Sequence, residues 1–395
     1  MELELSLMGG SSRIGAVREL LRDFEQRSST HIGVTYQGWD NAWAGLVRSS
    51  LYGKAPAVSE VGTSWVPDLV GMNALYPLPN SIKKELGTRA DFIPQSWDSC
   101  FLSGNPQLWA VPWISGTRII YYRKDLLARA GLNSEEAFAS LPSMLETLSR
   151  LAEVGVDCPW VTSTTASINT LHLISSWVWN TGGDFISQNG RQLLFTEDRA
   201  LNAMGLFFQM ARYLGPESSE ISYEDAINRF WSGSAAVTID GSWLYAMQKL
   251  IANPLVLENI GFAPLPAPAF VGGSNLVIWT NTLDKEAALK LMLFMSEQEA
   301  VLSICRLTGL APARHGLTSL AEGGDAEFQS AINRAFETGR SLPNLMFSAM
   351  LEDKLRHGFG EIWTDILNSP HTDPREIIIC HMLPLKARVE RIINS

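Results

Sequence analysis

The chain opens on alternating apolar positions, Leu3, Leu5 and Leu7 within LELSL, the period of two expected of a half-buried strand. An amphipathic run from Val17, VRELLRDFEQRS, follows with helical spacing, and HIGVTYQGW from His31 returns to strand character. A strand, a helix and a strand in succession predict a parallel pair joined by a right-handed crossover. After a further helical stretch, AVSEVGTSWV from Ala57 reads as a third strand that ends in small polar residues and a tryptophan. Ligands of open α/β sheets sit beyond the carboxyl ends of the strands. Residues 9–12, 37–40 and 63–65 are therefore expected to converge on one site.

Three later segments read as crossings between two lobes. Leu108 to Gly131, LWAVPWISGTRIIYYRKDLLARAG, joins a strand, a proline, a second strand and a helix without a long linker. Ile260 to Phe270, IGFAPLPAPAF, precedes another apolar strand, SNLVIW. Leu307 to Gly316, LTGLAPARHG, follows the helical EAALKLMLFMSEQEAVLSICR. The expected division is a first α/β lobe of residues 1–112 and 262–310 and a second of 113–261 and 311–395, each a mainly parallel sheet flanked by helices. The length of 395 residues agrees, since single cores stop growing below that size.

Composition narrows the function. A net charge of −10 disfavours nucleic-acid partners, which select a basic footprint. No stretch reaches the roughly 18–20 apolar residues that cross a bilayer. The amino end, MELELSLMGG, lacks a basic region, an apolar region and a cleavage site, which leaves a cytosolic protein or a mature secreted domain whose signal is absent from the sequence. Four widely spaced cysteines, Cys100, Cys158, Cys305 and Cys380, offer no zinc or redox spacing and admit either disulfides or buried thiols.

No phosphate-binding or dinucleotide glycine pattern, no metalloprotease or calcium-loop spacing and no nucleophile elbow occurs. Glu60, Asp40 and Asp240 are the acids nearest strand ends, but nothing in their spacing marks the carboxylate pair of a glycosidase. The positive signal is aromatic: thirteen tryptophans, several beside turn residues, among them Trp39, Trp65, Trp113, Trp177, Trp179, Trp243 and Trp279. An indole offers a flat apolar face to a sugar ring, with polar neighbours left for its hydroxyls. Packing competes as the reason for any one of them. Trp65 beside Ser64, and Trp243 beside Asp240 and Ser242, are the best placed for a ligand, whereas Trp97, Trp160, Trp231 and Trp363 read as structural. Arg314, after Pro312, could present a fork of donors, with Arg13 and Arg118 as weaker candidates.

VPWISGTRIIYYRKDLLARAG at Val111–Gly131, Gly182-Gly183 after an aromatic helix, AAVTIDGSWL, and the closing GEIWTDILNS resemble the solute-binding proteins of carbohydrate ABC importers, the maltose-binding-protein class. The resemblance implies a two-lobed periplasmic-binding-protein fold, hinge closure on a mono- or disaccharide or small glycosylated polyol, and delivery to ABC permease subunits by a monomer without cofactor, metal or catalytic centre. It implies a periplasmic or extracellular setting, with a lipid anchor as one form of attachment. It also implies ligand contacts from Ser11, Ser12, Gln37, Trp39, Asp40, Ser64 and Trp65 in the first lobe, and from Gly116, Thr117, Trp243, Gly273 and Ser274. Arg13, Tyr121, Trp177, Asp240 and Arg314 are expected beside them from their own placement in the sequence. The serines and Arg13 stand where relatives often place an acid, so maltose specificity does not transfer. The alternatives are a glycoside-processing enzyme with the same aromatic cleft, a binder of a polyamine or other non-sugar solute, and a sensor subunit.

Overall fold

The computed structural model describes residues 2–9, 14–215, 220–248, 251–266, 268–317 and 325–393, without the side chains of Ile14, Ala16 and Asp40. Its ten strands among those residues are β1 (Glu2–Met8), β2 (His31–Gln37), β3 (Val58–Gly62), β4 (Val111–Gly116), β5 (Arg118–Arg123), β6 (Trp160–Val161), β7 (Val237–Gly241), β8 (Ile260–Pro264), β9 (Gly272–Ile278) and β10 (Ala311–Pro312). The chain forms two compact units. Unit 1 holds residues 1–116, 271–324 and 341–349, and unit 2 holds 117–270, 325–340 and 350–395. The chain therefore passes between units at 116/117 and 270/271, four and nine residues beyond the expected 112/113 and 261/262, and again at 324/325, 340/341 and 349/350. The segment 307–316, expected as a crossing, lies wholly inside unit 1.

Unit 1 carries a six-stranded sheet in the order β10-β4-β9-β3-β1-β2. The pairs β1–β2 and β1–β3 are parallel, as the opening strand–helix–strand pattern predicts. The intervening helix Ile14–Ser28 buries Val17, Leu21 and Phe24, and the Phe24 ring lies 5.2 Å from that of Phe294. The rest of the sheet is antiparallel, because β9 enters directly after the chain returns from unit 2, with no crossover helix to reverse it. The sheets are mixed rather than mainly parallel.

Unit 2 carries a four-stranded sheet, β6-β7-β5-β8, parallel only at β6–β7. Its helical side is packed with aromatics. Trp363 meets Phe208 at 4.9 Å, Trp177 meets Phe207 at 5.3 Å, and Trp160 meets Phe207 at 5.8 Å, mostly edge to face, the geometry ring quadrupoles favour. Trp97, Trp160, Trp231 and Trp363 are all buried, as their placement in the sequence suggested. Cys100, Cys158 and Cys305 are buried and Cys380 is exposed. Among the described residues no helix is long and apolar enough to cross a membrane.

Gly273 joins β9 to β4 with φ of +135°, and a Cβ there would sit 2.1 Å from the Ile114 carbonyl oxygen. Only a residue without a side chain lets these backbones approach so closely. Gly273→Ala is expected to destabilise the protein by on the order of 3 kcal/mol or more. An unchanged urea unfolding midpoint would show that the strand pair yields easily.

Candidate functional site

In unit 1 the parallel pairing sets the carboxyl ends of β1, β2 and β3 side by side, and the Gly9 N–H donates to the Gln37 carbonyl at 2.9 Å. Gln37 turns its amide back to Ser6 Oγ at 3.0 Å. Buried Glu60 ties three strands together by accepting from Met8 N–H and from Ser274 Oγ, both at 2.7 Å. Ser274 thus serves Glu60, and Gly116 is buried in the ladder opposite Gly272. Beyond β3, Ser64 and Trp65 form one turn of 3-10 helix, and the Trp65 ring folds over Gly62, where a Cβ would lie 3.0 Å away. Trp39 and Trp43, on the helix Trp39–Tyr52, flank Trp65 at 5.6 and 5.8 Å. Trp39 remains 38% exposed and Trp65 half-buried, so the carboxyl end of this sheet presents a cluster of indoles.

Not every expected contact is seen at these sheet ends. Ser11, Ser12 and Arg13 fall outside the described residues, as does the Asp40 side chain. Arg314 donates to the Leu86 carbonyl at 2.9 Å and lies over Phe92 at 4.4 Å, which gives it a structural task. Tyr121 and Trp177 are core residues, 0% and 1% exposed. The Tyr121 hydroxyl donates to the Gly241 carbonyl at 2.7 Å, and Trp177 packs on Phe207, so neither offers a free ring face.

In unit 2 the sequence Asp240-Gly241-Ser242-Trp243 closes β7 and starts the helix Trp243–Gln248. The Trp243 ring folds back over Gly241, where a Cβ would stand 2.0 Å from the indole, so only glycine admits this rotamer. Its Nε1–H donates to Tyr223 Oη at 3.2 Å, and Tyr223 donates to Asp240 Oδ1 at 3.2 Å. The Arg118 guanidinium lies over the same indole at 4.6 Å. Arg118 is 5% exposed and makes no ion pair among the described residues. Its Nε donates to Asn169 Oδ1 and its Nη2 to His172 Nδ1, both at 2.7 Å. Thr117 and Ser242 flank the last ladder pair, Arg118 and Gly241, with buried hydroxyls that lack a hydrogen-bond partner among the described residues.

The electrostatics follow from burial. Desolvation pushes the Asp240 carboxyl up to about 6 against the pull of Arg118. Burial likewise raises the Tyr223 hydroxyl, and burial together with Arg118 holds His172 well below the usual histidine range. Arg118 Nη1 and Asp240 Oδ2 have no hydrogen-bond partner among the described residues and are not sealed from the surface. The result is a half-buried indole flanked by one donor and one acceptor. Asp240 and Trp243 were expected here; Asn169, His172 and Tyr223 were missed. The first two stand three apart as polar residues in the apolar helix Ile168–Asn180, a spacing that marks one helix face. Among the described residues no cluster suited to a metal ion occurs.

An indole platform among polar groups at the end of a mixed sheet suits a small-solute binder, and comparison with known proteins agrees. The chain belongs to the bacterial extracellular solute-binding protein family, whose model matches residues 10–301 and whose members bind rather than convert their ligands. It is 22% identical over 362 residues to the diacetylchitobiose-binding protein DasA of Streptomyces coelicolor, covering 89% of this chain and 82% of that protein. It is 24% identical over 344 residues to a maltooligosaccharide ABC transporter solute-binding lipoprotein of Streptococcus pneumoniae, covering 83% and 76%. Its fold matches the sugar-binding protein MalE of Xanthomonas citri with a TM-score of 0.80 at 22% identity over 100% of both chains.

Asp240 carries a measurable consequence. Its folded carboxyl keeps a proton up to about 6, whereas an unfolded one loses it near 3.8. The group therefore favours the folded state in acid, and that contribution, on the order of 3 kcal/mol, is lost as pH rises through 6. Asp240→Asn should gain stability relative to the parent between pH 4 and 6.5 in urea unfolding. A pH-independent difference between the two proteins counts against the buried carboxyl.

Proposed function

We propose that this chain is the ligand-capturing subunit of an ABC sugar importer, taking a mono- or disaccharide or small glycosylated polyol and delivering it to membrane permease subunits. The carrying observation is the Trp243 platform, with Arg118 and Asp240 beside it as donor and acceptor. A sugar ring has an apolar C–H face for the indole and hydroxyls that need both kinds of polar partner. The indole cluster of Trp39 and Trp65 offers a similar surface in unit 1. The names of the relatives, which bind diacetylchitobiose and maltooligosaccharides, point the same way. A polyamine is disfavoured, since the buried Arg118 cation would repel it. The setting we infer is outside the cytoplasmic membrane, in the periplasm or tethered by a lipid anchor, as the lipoprotein relative suggests.

A thermal-shift panel containing maltose, maltotriose and N,N′-diacetylchitobiose tests this. A ligand at a hundred times its dissociation constant stabilises the folded state by about 2.7 kcal/mol. A stabilising sugar should lose roughly 2 kcal/mol of affinity, about thirtyfold, in Trp243→Ala by titration calorimetry. Undiminished binding by that variant removes the platform, and silence across a broad sugar panel removes the sugar.

A further inference from the structure

Arg118 poses a problem that the platform alone does not solve. A guanidinium 5% exposed and, among the described residues, without an ion pair is costly to bury, and the hydrogen-bond and ring partners that fix it, Asn169, His172 and Trp243, carry no negative charge. A guanidinium has donors only, so the 2.7 Å contact from Nη2 requires His172 Nδ1 to accept. The ring must then be the neutral tautomer with its proton on Nε2. A proton on Nδ1 would set donor against donor, and a doubly protonated ring would add like-charge repulsion.

His172 is itself held rigidly. Its ring stacks on Phe270 with centroids 3.6 Å apart and planes 12° from parallel. Phe270 continues to Trp179 at 6.0 Å and 10°, and Arg340 lies over Trp179 at 4.9 Å while pairing with Asp184 at 2.8 Å. The result is a ladder, Arg340–Trp179–Phe270–His172–Arg118–Trp243, entirely within unit 2. Phe270 and Arg340 also pair as backbone neighbours, and each is the last residue of a segment of that unit. The charged group facing His172 is Arg118 of β5. Asp240 of β7 and Tyr223 of the helix Tyr223–Trp231 act on Arg118 from around the platform, and Arg340 stands at the far end of the stack. The depressed affinity of His172 for protons, from burial and from Arg118, accords with the neutral form.

We propose that His172 is a positioning residue for the Trp243 platform: its neutral imidazole accepts from Arg118 through Nδ1 and so holds the guanidinium over the indole. The ladder behind it anchors the platform to the residues at which the chain leaves the unit. This rests on Trp243 being the ligand platform only for its bearing on binding; the geometry stands without a ligand.

The test therefore uses no sugar. In the unsubstituted protein labelled with 15N-histidine, His172 should show at pH 7 an unprotonated Nδ1 and a protonated Nε2. An imidazolium, or a proton on Nδ1, overturns the proposal. The Trp243 indole N–H signal, assigned by its loss in Trp243→Phe, then reports the platform. His172→Phe keeps a ring on Phe270 but removes the acceptor, and should shift that signal. His172→Asn sets an acceptor oxygen as many bonds from Cβ as Nδ1 and should return it toward the parent position. A signal unmoved in the first variant, or displaced equally in both, overturns the positioning role. None of these results depends on whether a sugar binds, so failure here leaves the transport reading intact, and failure of that reading leaves the clamp standing.

Discussion

The guanidinium of Arg118, buried without a carboxylate at ion-pair distance among the described residues, is the constraint around which unit 2 is arranged. Removing such a charge from water is unfavourable by several kcal/mol unless fixed dipoles replace the lost hydration. Asn169 and His172 supply two of those dipoles, and the face of Trp243 supplies the third. Each partner is itself held: His172 by Phe270, Asn169 in the first turn of its helix, and Trp243 by Gly241 and Tyr223. The indole needs no ligand to find its rotamer, and a preorganised surface gives up less entropy when it binds.

Unit 1 also builds around a buried polar group. Glu60, 1% exposed, accepts from the Met8 N–H and the Ser274 hydroxyl, so one carboxylate pins β1, β3 and β9 where the indole cluster begins. In unit 2 the acid at the end of β7, Asp240, accepts through Oδ1 from the Tyr223 hydroxyl and from the Gly241 N–H.

Much of the framework was legible in the chain. The alternation at Leu3, Leu5 and Leu7, the amphipathic helix after it and the strands at His31 and Val58 translate directly into the parallel part of the first sheet. The crossings at 116/117 and 270/271 fall within segments whose prolines and strand pairs announce them. The antiparallel half was not legible, because the direction of β9 depends on where the returning chain enters the sheet, and local propensity carries no information about that.

The sequence by itself determined which residue types were available: indoles beside turns, a glycine before Trp243, an acid at the end of β7. Periodicity and turn chemistry are local, so they survive in one dimension. The tertiary structure alone decided which indoles remain accessible, burying Trp177 and leaving Trp39 and Trp243 partly open. It alone brought Asn169 and His172, about fifty residues away, onto Arg118. It also gave Arg314 the Phe92 ring and the Leu86 carbonyl as partners. Burial and hydrogen-bond partnership are properties of the packed chain, and no spacing rule can supply them.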